Sequence, residues 1–230
     1  MRKLAYFSFI LLTLLNSCGE TTKKDVDTEV DVENSEITET ESTAASKKIL
    51  FFGDSLTAAM GLDPAEGYPA EIQEKIDSLG LNYEVINAGL SGETSAGGRN
   101  RINWVLNQEV DVFVLELGAN DGLRGIPVEE TRGNLQAIID IVREKNPEVK
   151  IVLAGMQVPP NLGPEYTRDF RNLFSELAEA NEVYLIPFLL EGVAGDPSLN
   201  QPDKIHPTAE GYDIVAENVW EVLEPVVREQ

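Results

Sequence analysis

The feature that most constrains this fold is an alternation of short, continuously apolar segments with longer segments of helical periodicity. Val110–Leu117 is apolar and β-branched, whereas Pro127–Lys145 after it places Leu135, Ile138 and Val142 on one helical face. Strands that are apolar throughout are buried on both sides, which requires a parallel sheet with helices on each face. The sequence therefore predicts one doubly wound α/β domain, beginning at Lys47 and occupying residues 47–230.

Periodicity and turn residues give the order of the predicted elements. The predicted strands are Ile49–Phe52, Tyr83–Ile86, Val110–Leu117, Val149–Ala154 and Val183–Ile186, and the predicted helices are Tyr68–Leu79, Arg99–Leu106, Pro127–Lys145, Tyr166–Ala180 and a last one that opens at His206-Pro207. In open parallel sheets, ligands bind beyond the carboxyl ends of the strands. Residues that carry chemistry are therefore sought directly after each strand.

The segment before the domain has a different character. Residues 1–18 combine a positively charged start with an apolar run shorter than the roughly 20 residues that a spanning helix needs, which indicates a signal peptide. It ends in Leu-Asn-Ser-Cys, which resembles a bacterial lipobox with Cys18 as the lipidated residue; the alternative is a plain signal peptide with an incidental cysteine. Residues 19–46 are acidic and lack aromatic residues, which predicts a disordered tether. We expect a membrane-anchored lipoprotein in the periplasm or at the cell surface.

Charge and rare residue types narrow the possible functions. A net charge of −22 repels phosphate backbones, which argues against nucleic-acid binding, and it also disfavours adhesion to anionic lipid. The chain has one cysteine and one histidine, so it lacks the ligands of a Cys/His zinc site, and we expect no metal. Histidine is the residue type that ordinarily titrates near neutrality, so His206 is the candidate general base.

The residues after the strands match the needs of acyl transfer. A serine hydroxyl requires a neighbouring base, and Ser55 follows the first strand. An imidazole requires an acceptor that fixes its tautomer, and Asp203 lies three residues before His206. The tetrahedral intermediate requires hydrogen-bond donors, for which we predict the Ser55 and Gly89 amides and the Asn120 side chain. Taken one by one, these motifs are also explained as turns, helix caps or Asx turns.

Four segments together resemble the SGNH, or GDSL, hydrolase superfamily. They are FFGDSLTAAMGLDPAEGYPA (51–70), VINAGLSGETSAGG (85–98), VLELGANDGLRG (114–125) and DKIHPTAEGY (203–212), and within the superfamily they are most similar to the bacterial arylesterase and thioesterase I/lysophospholipase L1 group. The resemblance implies a flavodoxin-like three-layer α/β/α sandwich without a metal or organic cofactor. It also implies the same nucleophile, acid, base and oxyanion donors as above. Ala119 and Lys204 stand where glycine is frequent in the family.

The expected activity is that of a serine esterase acting on aryl or short-acyl esters, lysophospholipids or thioesters. We predict that Leu123, Pro159 and Leu162 line an acyl groove, although the loop around 156–166 is equally explained by packing on the core. Two other hypotheses remain open at this point: a carbohydrate O-acetylesterase, and a catalytically idle SGNH-like binding lipoprotein. The oligomeric state is left open.

Overall fold

The computed structural model describes residues 46–229. The predicted signal peptide with Cys18, and the predicted tether up to residue 45, lie outside these residues. The strands are β1 Lys47–Gly53, β2 Tyr83–Gly89, β3 Val112–Glu116, β4 Lys150–Ala154 and β5 Tyr184–Ile186, and the helices are α1 Tyr68–Ser78, α2 Ser95–Val105, α3 Ala119–Arg124, α4 Val128–Lys145, α5 Pro164–Asn181 and α6 Ala209–Arg228, with 3₁₀ turns at Pro64–Glu66 and Pro160–Leu162.

The strands form a parallel sheet in the order β2-β1-β3-β4-β5. This is the flavodoxin-like order, in which the chain first builds outward from β1 to β2 and then crosses to β3 on the other side. The predicted fold class is thereby confirmed. The change of direction lies between β1 and β3, where Gly53 is in register with both Gly89 and Glu116. A crevice for ligands is expected at the carboxyl end of this pair.

Helices cover both faces of the sheet. α1 packs with α6, and α4 packs with both α2 and α5. The face of α4 predicted from periodicity is fully buried, including Leu135, Ile138 and Val142, and the strand residues Phe51 and Phe113 are buried beneath the helices. Truncating one such buried leucine to alanine typically costs about 2–5 kcal/mol of stability. The core thus fixes the strand ends that carry the site.

Helix caps and short helices account for the differences from the predicted elements. The last helix begins at Ala209 rather than at His206-Pro207, because the Thr208 side chain caps it by accepting a hydrogen bond from Gly211 N. α2 begins at Ser95, four residues earlier than predicted, since Thr94 caps it in the same way. α3 was not predicted at all, because its six residues are too few to show a helical period.

Within residues 46–229, no helix is both long enough and apolar enough to cross a membrane.

Candidate active site

The turn after β1 presents Ser55 at the sheet edge. Asp54 closes this turn, because its side chain accepts a hydrogen bond from Leu56 N at 3.0 Å and its carbonyl accepts one from Ala58 N at 3.0 Å. Met60 N donates to the Ser55 carbonyl, also at 3.0 Å. The serine is 7% exposed, so its hydroxyl lies at the base of a cavity rather than on an open surface.

Ser55, His206 and Asp203 lie in hydrogen-bonding contact although 151 residues separate the first two. Ser55 Oγ is 2.9 Å from His206 Nε2, and His206 Nδ1 is 2.6 Å from Asp203 Oδ2. A carboxylate oxygen accepts, so Nδ1 carries the ring proton and Nε2 turns its lone pair toward the serine. This is the arrangement in which a neutral imidazole removes a proton from a hydroxyl.

The Asp203 carboxylate stays ionised in this setting. Burial disfavours its charge, but the hydrogen bonds from the His206 ring and from the Ile205 and His206 amides prevail and lower its pKa to about 2. Both amides donate to Oδ1, at 2.9 Å and 3.1 Å, which leaves Oδ2 for the imidazole. The aspartate therefore orients the ring and remains an acceptor over the whole physiological pH range.

The loop that carries the base closes on itself and on the nucleophile turn. Gln201 N donates to the His206 carbonyl at 2.7 Å, and Lys204 N donates to the Gln201 carbonyl at 2.8 Å. The Gln201 side chain donates in turn to the Met60 carbonyl at 2.8 Å. These bonds hold the base in a fixed position relative to the serine without using any element of the sheet.

The structure places the predicted Gly89 donor outside the cavity and so corrects that assignment. Gly89 N donates to the Asn87 side chain at 2.9 Å, and a Cβ at Gly89 would lie 2.4 Å from Ala58 N. Gly89 therefore allows the nucleophile turn to pack closely against β2. Gly92, three residues later, lines the cavity instead, and in the described part of the chain its N–H has no hydrogen-bond acceptor.

Gly92 and two other groups can bind an oxyanion. Gly92 has φ +79°, a left-handed conformation that favours glycine. The Ser55 amide likewise has no acceptor within residues 46–229, and Asn120 lines the same cavity. One Asn120 N–H donates to Asp54 Oδ2 at 2.9 Å, which fixes the amide group and leaves its second N–H for a ligand.

A buried hydrogen-bond network, which the sequence did not predict, joins the two donor segments. Asp121, fully buried at the start of α3, accepts from Ser95 N at 2.8 Å and from Ser95 Oγ at 2.5 Å. Thr131 Oγ1 donates to the same carboxylate at 3.3 Å. The segment with Gly92 is thereby tied to the helix with Asn120. The one hint in the sequence is Asp121 itself, an acidic residue directly after Asn120 to which the segment 114–125 assigns no role in catalysis.

A second buried group lies beneath the serine. Glu116, the last residue of β3, accepts from Asp54 N at 3.1 Å and from Thr57 Oγ1 at 2.8 Å, both on Oε2. Its Oε1 has no hydrogen-bond partner among the described residues. Burial raises the pKa of Glu116 well above its ordinary value, and burial also raises the pKa of Asp54 to about 6. We therefore expect Glu116 to be protonated and neutral where it packs against the nucleophile turn.

The cavity in front of Ser55 has a volume of about 660 Å³, which is typical of small-molecule sites. Leu123 and Pro159 line it as predicted, but Leu162 does not. The 3₁₀ turn Pro160–Leu162 directs Leu162 into a separate groove beside Pro127 and Tyr166, which corrects its assignment to the acyl wall. The other apolar lining residues are Leu56, Met60, Ala119, Met156, Val158, Phe188, Leu190, Ala194 and Ile205.

Within residues 46–229, no cluster of three or more His, Cys, Asp or Glu side chains is arranged to hold a metal ion.

Comparisons with known proteins agree with this geometry. The model of the GDSL-like lipase/acylhydrolase family matches residues 51–214. The esterase TesA of Pseudomonas aeruginosa (strain PAO1) is 40% identical over 185 residues, covering 80% of this chain and 91% of TesA. The thioesterase 1/protease 1/lysophospholipase L1 of Escherichia coli (strain K12) is 35% identical over 185 residues, covering 80% of this chain and 86% of the relative.

A solved structure shares the same fold. The psychrotrophic esterase EstA from Pseudoalteromonas sp., inhibited by monoethylphosphonate, superimposes with a TM-score of 0.75 at 32% sequence identity. The match covers 80% of this chain and 100% of EstA. The fold, the segments that form the site and the sequence similarity thus coincide over the whole region from β1 to α6.

Proposed function

Because this chain belongs to the GDSL-like lipase/acylhydrolase family, we propose that it hydrolyses carboxylic esters through an acyl-enzyme formed on Ser55. Its relatives are named as an esterase and as a thioesterase and lysophospholipase, and ester hydrolysis is the activity common to them. The observation that carries the mechanism is the 2.9 Å contact between Ser55 Oγ and His206 Nε2, with Asp203 bound to the other ring nitrogen.

In acylation, Ser55 Oγ attacks the carbonyl carbon of the ester while His206 Nε2 takes the hydroxyl proton. The negative charge moves to the carbonyl oxygen, where the Ser55 and Gly92 amides and the Asn120 side chain donate hydrogen bonds. When the tetrahedral intermediate collapses, the bond to the alcohol oxygen breaks. Nε2 then gives its proton to that oxygen, and the alcohol leaves.

In deacylation, a water molecule takes the place of the alcohol. His206 Nε2 removes its proton as the water oxygen attacks the acyl carbon, and the same donors bind the second oxyanion. Collapse breaks the bond to Ser55 Oγ, which recovers its proton from Nε2, and the carboxylic acid is released. Asp203 remains ionised throughout, since its hydrogen bonds hold its pKa at about 2.

The volume and apolar lining of the cavity favour an acyl chain longer than acetyl. Its walls include Leu123, Met156, Val158 and Phe188, side chains that gain contact from a hydrocarbon chain and offer no hydrogen bonds to a sugar. An acetyl group leaves most of this surface unused. We therefore favour fatty-acyl, aryl or lysophospholipid esters and their thioester analogues as substrates over acetylated carbohydrates.

We also propose that Cys18 carries a lipid anchor that places the enzyme outside the cytoplasm. The support is the apolar run followed by Leu-Asn-Ser-Cys in the sequence. Expression of the full chain with a clickable palmitate analogue should label the parent, and Cys18→Ser should abolish the label. A parent chain that takes up no label would contradict the anchor and leave the esterase proposal intact.

Turnover of a chromogenic ester series tests the catalytic proposal. We expect the purified parent to hydrolyse p-nitrophenyl esters from acetyl to dodecanoyl, with its highest kcat/KM beyond acetyl, and Ser55→Ala to be inactive on all of them. Equal turnover by the parent and Ser55→Ala would reject Ser55 as the nucleophile. Hydrolysis restricted to acetyl esters, with release of acetate from acetylated glycans, would favour the carbohydrate esterase instead.

A further inference from the structure

A lysine, Lys204, lies at the edge of the catalytic cavity of this strongly acidic protein. The residues that line the catalytic cavity include three ionisable side chains, Asp54, Lys204 and His206. Asp54 and His206 are buried, whereas Lys204 is exposed. The chain as a whole has a net charge of −22, so a positive charge at the substrate entrance runs against its overall balance.

The backbone holds Lys204 in an unusual conformation. Its φ is +62°, in the left-handed region that favours glycine and that side chains with a Cβ adopt at a cost. The surrounding loop enforces this geometry, because Lys204 N donates to the Gln201 carbonyl and Gln201 N donates to the His206 carbonyl. A lysine is thus kept at a position where the backbone itself prefers glycine.

The ammonium group of Lys204 forms no ion pair with the carboxylate next to it in the described part of the chain. Its adjacent carboxylate, Asp203, already accepts hydrogen bonds from the Ile205 amide and from both the amide and the ring of His206. No carboxylate among residues 46–229 forms an ion pair with Lys204. The charge is therefore open to an anion that enters the cavity.

Lys204 lies on the side of the cavity where the alcohol half of the ester binds. In the mechanism above, His206 returns its proton to the alcohol oxygen, so the alcohol lies beside the loop that carries His206. Lys204 is in that same loop, two residues earlier. The apolar wall with Leu123 and Pro159 comes from other segments and suits the acyl chain.

Building on the proposed esterase function, we infer that Lys204 forms an anion subsite for the alcohol half of the substrate. The substrate class that fits is an ester whose alcohol carries a phosphate or carboxylate, such as an anionic lysophospholipid. An exposed charge pair of this kind contributes modestly and is screened by salt. The preference should therefore be severalfold and should appear mainly in KM.

Turnover of matched octanoyl esters, kept below their micellar concentrations, tests this subsite. The series consists of the lysophosphatidylglycerol, the ester of glyceric acid, the lysophosphatidylcholine and the monoacylglycerol. Lys204→Gly removes the charge without straining the backbone, and Lys204→Arg keeps the charge. The matched control is Lys145→Met, because Lys145 is exposed at the end of α4, beside the amino end of β4 and away from the cavity.

We expect Lys204→Gly to lower kcat/KM about fivefold on the anionic esters through KM, and to leave the monoacylglycerol within about twofold. Lys204→Arg should match the parent, Lys145→Met should have no selective effect, and 1 M NaCl should remove the difference between parent and Lys204→Gly. A loss of kcat/KM on lysophosphatidylglycerol but not on the ester of glyceric acid would assign the subsite to phosphate. A loss of kcat/KM on both of these anionic esters would assign it to negative charge in general.

Equal changes on the neutral and anionic esters, or the same selective loss in Lys145→Met, would overturn the subsite. These outcomes are separable from failure of the proposed function. A parent that hydrolyses the monoacylglycerol but shows no selective loss in Lys204→Gly refutes the subsite alone. A parent that hydrolyses none of the esters refutes the esterase and the subsite together.

Discussion

The two halves of the site are built in opposite ways. The half with the nucleophile and the oxyanion donors lies against the sheet, where the buried carboxyl groups of Glu116 and Asp121 accept hydrogen bonds from neighbouring segments. The half with the base is a surface loop, and its carboxylate, Asp203, accepts hydrogen bonds from within the loop itself. We therefore expect that truncating the imidazole in the base loop affects catalysis more than stability, whereas substitutions beneath the serine affect folding as well.

The largest effect is expected in the base loop. His206→Ala should reduce kcat by about 10²–10⁴-fold, because within residues 46–229 the His206 ring is the one base hydrogen-bonded to the Ser55 hydroxyl. The melting temperature by circular dichroism should stay within about 2 °C of the parent, since the backbone hydrogen bonds that close the loop do not use the imidazole ring. A large drop in melting temperature would break the distinction between the two halves.

Asn120→Ala tests the half of the site that lies against the sheet. Loss of one oxyanion donor typically lowers kcat by about 10²–10³-fold. Because Asn120 also donates to the buried Asp54, this variant should lose some stability, unlike His206→Ala. Steady-state kinetics and a thermal melt on the same preparation measure both effects. Unchanged kcat would remove Asn120 from the site.

A pair of glycine variants tests the reassigned donor. Gly89→Ala should destabilise the fold by about 1–3 kcal/mol, because its Cβ would lie 2.4 Å from the backbone of the nucleophile turn. Gly92→Ala meets no atom within 4 Å, but the left-handed φ of +79° costs an alanine about 1–2 kcal/mol, and relief of this strain should move the amide and lower kcat. Ester kinetics separate the two variants, because kcat should fall further in Gly92→Ala than in Gly89→Ala, and urea unfolding measures the stability of each. The opposite pattern would restore Gly89 as the donor.

The smallest effect concerns the pH dependence of stability. Burial raises the pKa of Asp54 to about 6 from an ordinary value of 3.8 and also raises that of Glu116. The folded state then holds these protons at pH values where the unfolded state has released them, so stability should fall as pH rises from about 4 through 6.

Glu116→Gln should flatten this decline. The amide keeps the size of the side chain and is neutral without a bound proton. The fold then no longer has to hold a proton on residue 116 as the pH rises, so the melting temperature should rise by a few degrees near pH 7 relative to the parent. Thermal melts between pH 4 and 8 provide the measurement. An unchanged slope would mean that Glu116 does not set the protonation of this pair.

The fold could be predicted because its evidence is local and repeated. The apolar pattern of each strand and each amphipathic helix indicates which of its faces is buried. Errors in the predicted ends of an element, such as the start of α6, therefore leave the predicted topology unchanged. The positions of Ser55, His206 and Asp203 near one another followed from the same topology, since strands β1 and β3 and the loop before α6 meet at one edge.

The parts of the site that depend on backbone direction could not be predicted. The segment after β2 contains two glycines, and which amide faces the cavity is decided by the left-handed turn at Gly92 and the Asn87 contact at Gly89. The side of the loop on which Leu162 lies could not be predicted, because it belongs to a 3₁₀ turn, Pro160–Leu162, in a proline-rich segment without a periodic pattern. The Ser95–Asp121 bond joins residues 26 apart that share no periodic pattern.

The central claim is that Ser55 is a nucleophile activated by His206. The most direct measurement is the rate of labelling by a fluorophosphonate probe, with the modified peptide mapped by mass spectrometry. We predict that the label in the parent lies on Ser55 and that His206→Ala slows its formation by at least about 100-fold. A label on another residue, or labelling of His206→Ala at the parental rate, would contradict the account.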